Sequence, residues 1–376
     1  MFQESGCLVP SAAAIKRAVN VPVMAVGKIN VVHGERILQE GSADLIQMGR
    51  PLMADPDLAN KAKEGRLQDI RPCIFCGHCQ AGGPGGGYAN CSVNMAMGKE
   101  LEYRLEPTEK KKKVMVIGGG PAGMEAARTL AERGHETSLY EKSDSFGGQW
   151  KIVANHLPEE QALIDYLTHG MKEAGVNVFL NQEVTKETVD KKKPDAVVIA
   201  TGSVPTSVDI PGIEGDNVVQ ATDVLAGKVN TGQNVVVVGG RIVGLSAALY
   251  LSGQGKNVSV ITRGNIARGL NGNMKKTLIE FLVRDGVHLY PNATPDSITE
   301  NGINIWWTTS EEPVRDNMFL FLKADTVVLA VGAENDNQLV SELEGIVPEI
   351  YPVGDCAGKR SVFAAIRGGS EIGRTI

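Results

Sequence analysis

No apolar run in this chain approaches the ~18 residues that a membrane-spanning helix needs. Basic charge is not in excess either. The 38 Lys and Arg stand against 44 Asp and Glu, a net charge of −6, which argues against a nucleic-acid partner or a polybasic membrane-surface protein. Cysteine is scarce, because six in 376 residues cannot staple a disulfide scaffold. The opening residues, MFQESGCLVP, lack a basic segment followed by an apolar one, so no secretory leader is read and a reducing cytoplasm is expected. Hydrophobic residues make up 42% of the chain, enough for packed cores, and the length allows two or three domains. The expected partners are therefore small molecules, neither nucleic acid nor membrane.

Glycine, by contrast, is abundant: 44 residues, about 12% against a usual ~7%, mostly clustered at the ends of apolar runs, where tight turns approach ligands. Residues 1–60 read as two βα units, with the strand segments VPVMAVG and ADLIQMG each ending in glycine, at Gly27 and Gly49. Further on comes an internal repeat. VMVIGGGPAG at 114–123 matches VVVVGGRIVG at 235–244, and PDAVVIATG at 194–202 matches ADTVVLAVG at 324–332, which implies two nucleotide-binding domains. The run EKKKK before Val114 reads as a solvated linker.

Four of the six cysteines crowd together. Cys73, Cys76, Cys79 and Cys91 have the spacing C-x2-C-x2-C-x11-C, three thiols two residues apart and a fourth across a glycine-rich loop. That pattern favours an iron–sulfur cradle, whereas structural zinc, the alternative, usually pairs two separate C-x2-C knuckles. His78, within the cluster, reads as a loop surface residue.

Gly118, Gly120 and Gly123 form G-x-G-x-x-G between an apolar strand and a helix, and Glu141 follows 18 residues after Gly123 at the end of the next strand. Each part has a physical purpose: glycines let the backbone approach a pyrophosphate, the helix N-terminus favours its charge, and the carboxylate accepts from a ribose hydroxyl. The second copy keeps Gly239, Gly240 and Gly244 but has Arg241 where the first has Gly120, and a side chain there would crowd a pyrophosphate. Its next strand ends in Thr262 and Arg263 with no carboxylate, so NADPH is favoured over NADH if a nicotinamide binds, with Arg263, aided by Arg268, meeting the 2′-phosphate. Gly354 and Asp355 form a late Gly-Asp turn after a short apolar strand. No catalytic residue is identified.

The order of these parts resembles the carboxyl-terminal half of the NADH:flavin oxidoreductase family that contains 2,4-dienoyl-CoA reductase, 2-enoate reductase and trimethylamine dehydrogenase. RPCIFCGHC with Cys91, followed by KVMVIGGGPAGMEAA, carries the likeness most specifically. The resemblance implies an α/β fold: two interleaved Rossmann-like domains of the three-layer ββα type, preceded by an iron–sulfur segment and the last two βα units of a TIM barrel. It divides the chain into a barrel remnant at 1–65, a [4Fe–4S] segment at 66–106, an FAD domain at 107–215 and 325–376, and an NAD(P)H domain at 216–324. FAD would rest on the first glycine turn and Glu141, with Gly148, Gln149, Ala200, Thr201 and Gly202 near its ring, and Gly354 and Asp355 on its ribityl and pyrophosphate region. Gly27, Gly49 and Arg50 would mark the phosphate end of an FMN site. In that family hydride passes from NAD(P)H to FAD, and single electrons then cross the cluster to FMN, which reduces substrate. Here six barrel strands are absent, so the likeness implies a fragment, a truncated reading frame or a subunit whose barrel another chain supplies, with FMN bound weakly and no enoate reduced. The alternative is a non-catalytic scaffold holding ADP and a cluster, as in amine dehydrogenase-like proteins. A disulfide oxidoreductase is disfavoured because Cys356 is the one cysteine in either nucleotide domain.

Overall fold

The computed structural model describes residues 4–80, 89–155, 158–270, 272–308 and 317–376. It divides into two compact units: one runs up to Ser203 and resumes over Asn335–Ile376, and the other is Val204–Glu334. The chain crosses between them at the strands Ser203–Pro205 and Ala333–Asn335.

The first unit is built on five parallel strands in the order Glu349–Pro352, Ala196–Ile199, Lys113–Ile117, Glu136–Tyr140, Asn177–Phe179. Its central strands are unbroken apolar runs, KVMVI and AVVI, because a parallel sheet is covered on both faces. Val114, Val116 and Val198 are at most 1% exposed. The helix Pro121–Glu132 starts with proline in its first turn, where a missing N–H costs nothing. Against it lies the last helix, Val362–Thr375, whose Gly369 and Gly373 let the two backbones meet: a Cβ at Gly369 would lie 2.3 Å from the Ala122 carbonyl oxygen. That crossing carries the Gly354 turn to the start of the first helix.

Before this sheet stand the helix Val9–Ala18, the strand Met24–Ala25, the helix Val31–Gln39 and the strand Leu45–Ile46. The two strands pair in parallel, and Ala12, Ala25, Ile29, Ile37 and Ala43 form a small core of their own. Asp55 ties the following segment together. Burial works against its charge, but Lys61 at 2.7 Å and the Arg71 N–H at 2.8 Å outweigh that and hold its carboxyl below the ordinary range.

The second unit repeats the architecture. Its parallel strands run His288–Pro291, Asn257–Thr262, Asn234–Val238, Thr326–Leu329, Val218–Gln220, with an antiparallel sheet of Ala293–Thr299, Gly302–Thr308 and Asn317–Lys323 beside them. No helix among the described residues is long and apolar enough to cross a membrane.

Glu160, on the helix Pro158–Glu173, is 2% exposed and one of its carboxylate oxygens has no partner among the described residues. Burial, with the neighbouring Glu159 adding to it, pushes its carboxyl from 4.5 up to about 8. Between those values the folded chain holds a proton that the unfolded chain releases, so stability falls as pH rises through the window, by up to ~1.4 kcal/mol per pH unit. Glu160→Gln is therefore expected to gain on the parent as pH rises from 5 to 8.5, measured by urea unfolding. A constant difference between the two proteins across that range would refute the assignment.

Candidate functional site

The first glycine turn separates two demands on glycine. Gly118 has φ +109°, and a Cβ there would lie 2.3 Å from the Ala200 carbonyl oxygen. A Cβ on Gly123 would lie 2.0 Å from the Gly118 carbonyl oxygen. Both glycines are required by the packing of strand, turn and helix. Gly120 is different: its φ of −76° suits any residue and a Cβ would meet no atom within 4 Å. The protein leaves open space there, so a ligand can approach the main chain closely.

Glu141 closes this turn. Its carboxylate accepts from the Gly119 N–H at 2.6 Å and from the Ser143 N–H at 2.8 Å, and also from the Ser143 hydroxyl. Carboxylate oxygens have further lone pairs, so a ribose hydroxyl can be accepted as well. The loop before the helix Gln149–Ala154 folds back onto the turn: the Gly147 N–H donates to the Gly119 carbonyl at 2.8 Å, and Gly148, at φ +50°, packs on Gly120. Gly354 packs against Ala122 from the far end of the chain. The Thr201 hydroxyl donates to the Asp336 carbonyl, and the Gly202 carbonyl accepts from the Asp336 N–H at 3.1 Å. Gly118, Gly120, Gly123, Glu141, Gly148, Gln149, Ala200, Thr201, Gly202, Gly354 and Asp355 thus gather around one sheet end. Ser143, Phe146 and Ser203 join them, and sequence reasoning missed all three because serine and phenylalanine carry no nucleotide signature by themselves.

In the second unit the packing glycines are kept. Cβ atoms at Gly239 and Gly244 would lie 2.3 and 1.9 Å from main-chain oxygens, and one at Gly240 would lie 2.7 Å from Thr262. Arg241 adopts φ −93° and ψ −178°, close to Gly120, so the turn is preserved while its open space receives a side chain. Arg263 and Arg268 are exposed on the loop after Thr262, which is held to the turn by the Ala267 N–H donating to the Gly240 carbonyl at 2.8 Å.

Cys73, Cys76, Cys79 and Cys91 line one small cavity, and all are free thiols. Burial pushes the Cys73 thiol up to about 12 and raises Cys79 and Cys91, while main-chain N–H groups of Phe75, Val93 and Asn94 work the other way at Cys73 and Cys91. Such donors favour thiolates once a cation replaces the protons. Among the described residues no group of three or more His, Cys, Asp or Glu stands close enough to hold a metal ion. His78 is half-buried and stacks on Phe363 of the last helix at 4.2 Å between ring centroids.

A second cavity, of about 210 Å³, adjoins the first and is lined by Gly27, Lys28, Gln47, Gly49, Arg50 and Phe75 among others. Arg50 and Phe75 line both cavities, with the guanidinium 5.0 Å from the ring centroid. Lys28 reaches Glu159 at 2.9 Å. Lys28 and Phe75 went unread in the sequence, although a lysine directly after a strand-end glycine is a recognisable anion-site cue.

Two parallel sheets, each opening on a glycine turn, define the class as flavoprotein-type pyridine-nucleotide oxidoreductases. The description "Pyridine nucleotide-disulphide oxidoreductase" matches residues 112–369, and "NADH:flavin oxidoreductase / NADH oxidase family" matches residues 8–69. By the first match, which spans more than half of its length, the chain belongs to the pyridine nucleotide-disulphide oxidoreductase family, and as a whole it matches the carboxyl-terminal part of relatives in the NADH:flavin oxidoreductase family. It is similar to a cinnamate reductase of Clostridium sporogenes, 32% identical over all of this chain and 56% of the relative. A metal reductase of Desulforamulus reducens is 35% identical over 94% of this chain and 58% of its own length. Among solved structures, a 2-naphthoyl-CoA reductase in complex with 2-naphthoyl-CoA superposes with a TM-score of 0.92 at 33% identity, over 100% of this chain and 57% of that one. The chain thus spans a little over half the length of these relatives.

Proposed function

We propose that this chain is the electron-transfer part of an NADH:flavin oxidoreductase, holding FAD and a [4Fe–4S] cluster and taking electrons from NAD(P)H. The observation that carries the reading is the shared wall: the four-cysteine cavity and the cavity at Gly27, Gly49 and Arg50 have Arg50 and Phe75 in common. When bound, FAD would accept hydride from NAD(P)H and the cluster would relay single electrons toward FMN in a barrel.

The residues fit FAD at the first turn. Gly120 leaves room for the pyrophosphate, Glu141 accepts from the ribose, and the helix Pro121–Glu132 presents its N-terminal N–H groups to the phosphates. The four thiols line one cavity with no carboxylate among them, the donor set that a cluster takes, and their C-x2-C-x2-C-x11-C spacing favours a cluster over zinc. Arg50 and Lys28 would hold the phosphate of FMN, whose ring would lie over barrel strands that this chain does not contain. Val21, Met24, Val26 and Leu45, between 42% and 65% exposed beside the two-strand pair, are the apolar surface that such strands would cover, whether from this protein or a partner. NADPH would meet Arg263 in the second unit. The free thiols suit a reducing cytoplasm.

The scaffold reading, in which ADP occupies the first site without turnover, is favoured by Arg241, which puts a side chain at the turn position where a nicotinamide dinucleotide needs the main chain bare. Anaerobic reconstitution separates the two. One FAD per chain, with its visible absorption bleached by NADPH, is the expected result. Retention of ADP with no uptake of FAD would replace the electron-transfer reading by the scaffold.

A further inference from the structure

Gln149 and Asp355 stand 206 residues apart in sequence and meet at one hydroxyl. The Gln149 amide nitrogen is 2.9 Å from both the carbonyl oxygen and the hydroxyl of Ser203, and the Ser203 hydroxyl is 3.1 Å from a carboxylate oxygen of Asp355. A carbonyl oxygen can only accept, so the Gln149 atom facing it is the NH2 group, and the amide orientation is determined. The Ser203 hydroxyl accepts from Gln149 and gives its single proton to Asp355. Every side-chain donor of the trio is therefore engaged within the trio. What the trio has left to offer is acceptor capacity, on the second carboxylate oxygen of Asp355 and the amide oxygen of Gln149.

We propose that Ser203 is a positioning residue that leaves the side chains at this corner of the first nucleotide site with acceptor capacity only, and so favours a ligand arriving as a run of hydroxyl donors. A polyol chain such as the ribityl of a flavin satisfies that demand. A phosphate, which brings more acceptors and negative charge beside Asp355, does not. The inference rests on the flavin reading of the site and adds the residue that sets its hydrogen-bond polarity. Without the hydroxyl, Asp355 loses the donor on one oxygen and Gln149 keeps its bond to the main-chain carbonyl only.

The test titrates FAD and, separately, ADP into the full chain and its Ser203→Ala and Ser203→Thr variants, with flavin fluorescence and calorimetry as readouts. ADP engages the glycine turn and Glu141 but does not extend to the ribityl corner. Ser203→Ala is expected to weaken FAD about tenfold and leave ADP within about twofold, while Ser203→Thr, which keeps the hydroxyl, stays within about threefold of the parent for FAD. Combining Ser203→Ala with Asp355→Ala should cost less than the two single losses together, because both remove the same bond. Equal FAD affinity in Ser203→Ala and the parent, or a parallel loss of ADP, overturns the proposal. A parent chain that binds ADP and takes up no FAD overturns the flavin reading instead.

Discussion

Gly120→Val is expected to leave the first unit folded while abolishing its uptake of flavin. A Cβ at this position meets nothing within 4 Å and the backbone there is extended, so the expected loss of stability is about 1 kcal/mol, that of a poorer residue at a helix N-cap. The branched side chain would stand where the pyrophosphate must touch the main chain, and FAD affinity should fall at least about 100-fold, or ~2.7 kcal/mol. Gly123→Ala, three residues on, should do the reverse kind of damage. Its Cβ lands 2.0 Å from the Gly118 carbonyl oxygen, a main-chain atom that cannot move aside, so about 3 kcal/mol or more of stability is lost before any ligand is added. Thermal unfolding of the apo proteins together with FAD titration distinguishes the two effects. If both variants unfolded alike, the separation of packing glycines from the ligand glycine would be wrong.

Cys76→Ser is expected to remove the metal and spare the flavin. The parent, prepared anaerobically, should contain about four iron and four sulfide per chain, because four thiolates are what a cubane cluster requires. With one ligand replaced, iron should fall below about one per chain. FAD should remain near one per chain, since the Cys76 thiol bonds the Ser92 hydroxyl at 3.2 Å in the lining of its own cavity and serine keeps nearly the same size at that position. Iron and sulfide analysis with flavin extraction reads both quantities. Stoichiometric zinc without iron in the parent would defeat the cluster assignment and leave the four thiols as a structural zinc site.

How far the sequence reached is clear at individual residues. The apolar strand before Gly118, the proline that opens the next helix and the carboxylate at the end of the following strand identified a Rossmann-like strand–turn–helix unit, because the turn is local: its members lie within 28 residues and each is constrained by the backbone of its neighbours. The repeat at 235–244 was legible for the same reason, and so was the cysteine spacing. The two-unit division was legible as a repeat, while the crossing points at 203/204 and 334/335 were not, since nothing in the composition changes there.

Tertiary structure decided what long-range packing controls. Gly120 and Gly123 are the same letter in one motif, and only the neighbouring carbonyl oxygens distinguish the glycine that the fold requires from the one that leaves a cradle. Arg241 is an irregularity in the sequence; in the fold it keeps the backbone of the turn and adds an exposed side chain where Gly120 has none. Ser203 carries no sign of its role until the helix crossing at Gly369 and Gly373 brings Asp355 back to the sheet end. The wall that Arg50 and Phe75 share between two cavities likewise joins segments that no local pattern links. Local backbone constraints are written in neighbouring residues and can be read from them. Side-chain hydrogen bonds and shared cavity walls depend on which distant surfaces pack together, and that is settled only when apolar burial has folded the whole unit.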